Sequence, residues 1–236
     1  MSAKREKTKR GFFRTLPEHL RSETVLRFFE FLRRAHRLFV PRRKKRLCDE
    51  LLDALRRGKG ETRSDTPPVY AENQLSLSAM PYGSSTMKKA GCEVLAAYNA
   101  LLTLEGHAPA PDTLRRVFER DGMVQRGHFG TAPSALRDFF RRLDYRVESA
   151  RDETELARIA ESAEVLLAVV WNDRGELTAG VHSVCLTRTP SGWVAHNVRG
   201  DGHPTAAFPA VEELLRNAWG GRAKLICAYA VSRRES

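Results

Sequence analysis

Residues 80–106 read MPYGSSTMKKAGCEVLAAYNALLTLEG, a glycine- and serine-rich loop that runs into one cysteine, Cys92, and then into a helix-forming stretch, Glu93 to Leu104. A thiol at that junction is a candidate nucleophile. The first four N–H groups of a helix lack intrahelical partners, and the positive end of the helix dipole favours an anion. Cysteines so placed have lowered pKa values and react as thiolates near neutral pH. Such a nucleophile needs a base that takes its proton and returns it to the leaving group, most often a histidine. A third group must hold the imidazole in the right tautomer.

Seven histidines are available. His19 and His36 lie in a basic N-terminal stretch, His107 follows a helix stop, and His128 lies in a glycine-bearing loop. His182 is the candidate base, because it opens the β-prone, alternating run VHSVCLTR. Asn197 follows across the turn Pro190-Ser-Gly192, so an antiparallel hairpin places the two side by side. His196 alternates to the opposite face of its strand from Asn197 and is a poor candidate. Asp201 is the fallback orienting group.

The elements that must carry these residues are legible as an α+β order. Helices are expected from Cys92 to Leu104 with Gly106 as stop, from Pro109 to Asp121 with Asp112 as cap, and from Thr131 through Leu143 with Thr131 as cap. A short strand at Tyr145 to Glu148 and a helix at Asp152 to Ala163 follow. Strands are expected at Val165 to Trp171, Val181 to Arg188, Trp193 to Val198 and Leu225 to Val231, with a helix at Val211 to Trp219.

The ordered set of Ala90-Gly-Cys92 with its helix, Gly130-Thr131, the strand from Val165, His182-Ser-Val, Asn197 with Gly200-Asp-Gly202, and Trp219-Gly-Gly resembles the papain-like cysteine peptidases. Within them it is most similar to the bacteriocin-processing branch that cleaves leader peptides after double glycine. The resemblance covers residues 69–232. It implies a papain-like fold with Cys92 as nucleophile, His182 as general base and acid, and Asn197 as orienting group, acting on a peptide or protein substrate without metal or other cofactor. It also implies an oxyanion hole from the Cys92 N–H and an upstream glutamine. Thr86 stands at that place, so Thr86, Ser85, Ser84 and the more distant Gln74 are the candidate donors. Losing such a donor costs about a hundred- to a thousandfold in rate. Glu93 beside the thiol opposes thiolate formation. A peptide hydrolase and a catalytically silent peptide-binding module on the same plan are therefore both open.

Charge divides the chain. Residues 1–46 hold 16 Lys/Arg and 4 Glu, a balance of +12 out of a net +11, which leaves the remainder near neutral. Residues 1–60 therefore read as a basic amphipathic arm whose first residues are disordered, residues 61–68 as a linker, and residues 69–236 as the peptidase-like domain. The arm suits an anionic membrane surface or an acidic partner. Nucleic acid is a weaker fit, since no base-reading motif is present. The four cysteines lack zinc-ligand spacing and fit buried thiols better than a disulfide framework. No transmembrane run or secretion signal is evident, so a cytoplasmic protein is expected.

Overall fold

The computed structural model describes residues 21–58, 68–174, 176, 180–198 and 201–234. The expected disorder at the start of the arm and residues 61–67 of the expected linker lie outside the described residues.

Two helices come first, α1 (Ser22–Leu38) and α2 (Arg42–Arg57). A small hairpin, β1 (Pro81–Tyr82) and β2 (Ser85–Thr86), leads through the single turn α3 (Met87–Ala90) into α4 (Cys92–Glu105). Next come α5 (Pro111–Asp121), α6 (Ser134–Arg142), β3 (Arg146–Ala150), α7 (Glu153–Ala160), β4 (Val165–Trp171), β5 (Val181–Thr189), β6 (Gly192–His196), α8 (Val211–Ala218) and β7 (Lys224–Ser232). Strands β3 to β7 form one antiparallel sheet in the order β3-β7-β4-β5-β6. This is the α+β arrangement expected from the sequence.

Strand periodicity sorts the sheet's side chains into two cores. Val165, Leu167, Val169 and Cys185 pack on one side with α4, α5 and α6, while Leu166, Ala168, Val170, Val184 and Leu186 pack on the other with α7 and α8. Helix α4 is buried nearly all round, from Val94 to Leu104. A helix apolar on every face belongs in a core. It stops at Gly106, whose φ of 78° is the left-handed conformation that favours glycine. Within α4 the buried Asn99 accepts from the Ala71 N–H at 2.8 Å and donates to the Ala71 carbonyl at 3.0 Å.

Two expected caps are corrected. Asp112 lies inside the first turn of α5, where it pairs with Arg115 and Arg116, and Ala110 precedes the helix. Thr131 bridges to Met123 and bonds the Tyr82 hydroxyl, and α6 begins at Ser134. Asp152 does cap α7, accepting from the Glu155 N–H at 2.8 Å.

The basic arm is not an appendage. Val25, Phe29 and Leu52 join the same core as α4. The guanidinium of Arg33, only 2% exposed, donates to Asp138, Ser134 and the Asp121 carbonyl. His36 donates to the Glu119 carbonyl at 2.8 Å, and Asp49 accepts from Arg120 and Arg142. An amphipathic arm with an apolar stripe of this size lowers its free energy by docking it, at ~25 cal/mol per Å² removed from water.

Candidate functional site

Cys92 is the first residue of α4, as its sequence context suggests, and is 5% exposed. The main-chain N–H groups of Ser183 and Glu93 lie near the sulfur and favour its thiolate. The thiol donates to Glu93 Oε2 at 3.1 Å. Glu93 Oε1 accepts from the Ser183 hydroxyl at 3.2 Å. Burial, with the Glu93 carboxylate next, pushes the Cys92 thiol well above its ordinary pKa. Burial also raises Glu93 to about 7, against the opposing pull of its hydrogen bonds from Cys92, its own N–H and Ser183. The lowered thiol pKa expected from the helix start is thus overturned in this arrangement. Desolvation and an adjacent carboxylate outweigh the helix dipole, whose effect is worth only about 0.3–1 kcal/mol.

His182 and Asn197 are brought together as the hairpin model requires, but through the backbone. His182 Nε2 donates to the Asn197 main-chain carbonyl at 2.7 Å. A carbonyl only accepts, so Nε2 carries the proton and Nδ1 is left as the acceptor. Burial lowers the His182 pKa, partly offset by that bond, so the neutral imidazole is favoured. The Asn197 side chain is used elsewhere. Its Oδ1 accepts from the Gln74 N–H at 3.0 Å and its Nδ2 meets Gln74 Oε1 at 3.3 Å. Asn197 has φ 61°, a left-handed conformation that asparagine tolerates well, and this turn swings its carbonyl toward His182.

No hydrogen bond joins Cys92 to His182 among the described residues. The sulfur reaches the Ser183 N–H, one peptide unit away. Ser183 and Val181 face α4, whereas His182, paired across the sheet with Val170, belongs to the alternate set of side chains.

Of the four oxyanion candidates, Gln74 is bonded both to Asn197 and to the turn before Cys92. It begins a short 3-10 turn, bonds Asn197, and its Nε2 donates to the Lys88 carbonyl at 2.8 Å, in the turn just before Cys92. Ser84, Ser85 and Thr86 belong to the β1–β2 hairpin, which is tied to the segment after α5 by the Ser84 N–H to Arg126 carbonyl bond at 2.7 Å. Asp201, the fallback orienting group, accepts from the His203 N–H and is exposed.

The histidine on the α4 side of the sheet is His196. It donates from Nδ1 to Glu72, contacts Thr187 Oγ1 through Nε2 at 2.8 Å, and stacks on Tyr70 at 4.0 Å. Glu72 also accepts from the Asn197 N–H at 2.9 Å. The segment 70–74 is therefore fastened to the end of β6, and it fixes the turn that presents the Asn197 carbonyl. Glu72 is not legible as a site residue in the sequence, because its segment lacks apolar periodicity and its partners lie more than 120 residues away.

In front of Cys92 and Glu93 opens a pocket of 770 Å³. Its walls come from α1 (Val25, Phe28, Phe29), from the 128–131 loop and from Trp171 with Val181. All four cysteines are free and buried. Among the described residues no group of three or more His, Cys, Asp or Glu side chains is placed to hold a metal ion.

No protein-family model, no curated protein and no solved structure matches this chain.

Proposed function

We propose that the chain is a papain-like cysteine hydrolase that cleaves a peptide bond, with Cys92 as nucleophile and His182 as base. One observation carries this reading. The Cys92 sulfur lies beside the N–H of Ser183, the residue after His182, and His182 has its Nε2–H held by the Asn197 carbonyl and its Nδ1 left to accept a proton. The Cys92–Glu93 bond then describes a resting thiol. For Nδ1 to take the S–H proton, the start of β5 must turn His182 to the α4 side as the thiol leaves Glu93, and sulfur then bonds the acyl carbon. The same proton goes to the departing amine, and water releases the acyl group from the thioester. Asn197 orients His182 through its main chain, and Gln74 is the side-chain donor best placed to join the Cys92 N–H at the oxyanion.

A second reading is favoured by the Cys92–Glu93 bond itself: a peptide-binding module on the same plan, whose thiol stays protonated. Iodoacetamide alkylation of Cys92 between about pH 6 and 8 separates the two. The hydrolase reading expects faster alkylation in Glu93→Gln, slower alkylation in His182→Ala, and peptide turnover that Cys92→Ala abolishes. A Cys92 that reacts no faster than a model thiol in all variants, with no turnover, leaves the binding module.

A further inference from the structure

Helix α1 carries two apolar faces. The inner one, with Val25, Phe29 and Leu32, is packed against the core. Phe28, Phe31 and Leu38 form an outer row, which Phe39 extends just past the helix end, and these four are 52%, 69%, 80% and 83% exposed. At 100° per residue the four fall within a sector of about 100°. A core helix needs only one apolar face, and large exposed apolar patches mark interaction surfaces.

Cations surround this row. Arg27 and Arg34 border it along α1, paired with Glu23 and Glu30 respectively. Beyond the turn, α2 begins Arg42-Arg43-Lys44-Lys45-Arg46, all exposed, with no acidic residue in its first turn. Arg42, Arg43, Lys44 and Lys45 make no ion pair among the described residues. Positive charge at a helix N-terminus opposes the dipole, so nothing among the described residues accounts for this cluster.

We propose that the outer face of α1 and the first turn of α2 form a membrane-docking surface for anionic lipid bilayers. Phe31, Leu38 and Phe39 enter the headgroup–acyl boundary and Arg42 to Lys45 meet the lipid phosphates and carboxylates. The chemistry commits to a lipid surface over a protein or nucleic acid, because the exposed apolar row runs through Leu38 and Phe39 directly along the chain into the exposed cations Arg42 to Lys45. Among the described residues no helix is long and apolar enough to cross a membrane, so docking is in the plane of the surface. Phe28 belongs both to this row and to the pocket wall, and Phe129 on the facing loop is 52% exposed. The docking face therefore reaches the pocket wall at Phe28.

Vesicle co-sedimentation of the full chain tests this. Binding is expected to phosphatidylcholine vesicles carrying about a third phosphatidylserine and to be absent with phosphatidylcholine alone. Both the triple variant Phe31→Ser, Leu38→Ser, Phe39→Ser and the quadruple variant Arg42→Glu, Arg43→Glu, Lys44→Glu, Lys45→Glu should lose at least tenfold in affinity. All seven positions are exposed, and unchanged far-UV circular dichroism confirms folding. Equal binding to neutral vesicles overturns the proposal, as does full binding by the serine variant. Retention on heparin or an oligonucleotide without vesicle binding also overturns it, assigning the cations to a polyanion.

Discussion

The two glutamates that face the α4 side of the sheet have opposite assignments. Glu93 forms the floor of a pocket, accepts from a thiol and a hydroxyl, and sits near pH 7 in its titration. Glu72 reaches from segment 70–74 to the end of β6, accepting from an imidazole N–H and a main-chain N–H. Neither carboxylate leaves a buried side-chain polar atom unpartnered among the described residues. The difference lies in what a substrate can reach. A carboxylate with weak donors at a pocket floor can exchange protons, and one locked by two strong donors fastens chain segments together.

Removing the fastener should have the larger effect. Glu72→Ala orphans two buried donors, on His196 and Asn197, at about 1–3 kcal/mol each, so a loss of about 4 kcal/mol is expected in urea unfolding. A loss below about 1 kcal/mol would mean that segment 70–74 is not held in this way.

The pocket glutamate should show itself through pH. Folded Glu93 keeps its proton up to about pH 7, whereas the unfolded chain releases it near 4.5. Between those values the native state binds the extra proton, so stability falls as pH rises through the window. In Glu93→Gln that slope should disappear, which amounts to about 3 kcal/mol across the window. Parallel pH–stability curves for the two proteins would place Glu93 outside the proton balance.

The smallest effect separates backbone from side chain at the junction of the two clusters. Asn197→Gly keeps the left-handed turn and the carbonyl that receives His182 but removes the bonds to Gln74. About 1 kcal/mol of stability should be lost. The ¹⁵N signature of His182 protonated at Nε2 should stay as in the parent chain. A switch of tautomer in that variant would show that the asparagine side chain, after all, orients the ring.

Much of the sheet was legible in advance. Val165 to Trp171 is a continuous β-branched and apolar run, and β4 has those same ends, because a strand buried on both faces needs no polar alternation. Gly106 marks the end of α4 by capping chemistry, and the helix-forming run after Cys92 marks its start. The meeting of His182 with Asn197 followed from hairpin register. What was not legible depends on which side of the sheet a helix docks. Alternation separates Ser183 from His182, but only the packing of α4 decides that Ser183 meets Glu93 while His182 turns to a carbonyl. His196 was set aside on the same alternation, yet it lies on the α4 side with Glu72. Arg33 looked like one more arm cation, and its burial against Asp138 needed the fold.

Asn99 offers one last lesson. By pairing with both the N–H and the carbonyl of Ala71, its amide does what a neighbouring β-strand would do, with one side chain. Such an amide recognises peptide backbone and ignores what residue 71 carries beyond it. The stretch leading into the Glu72 clamp is thus tied to α4 through main-chain atoms, while the Ala71 methyl packs on the same core.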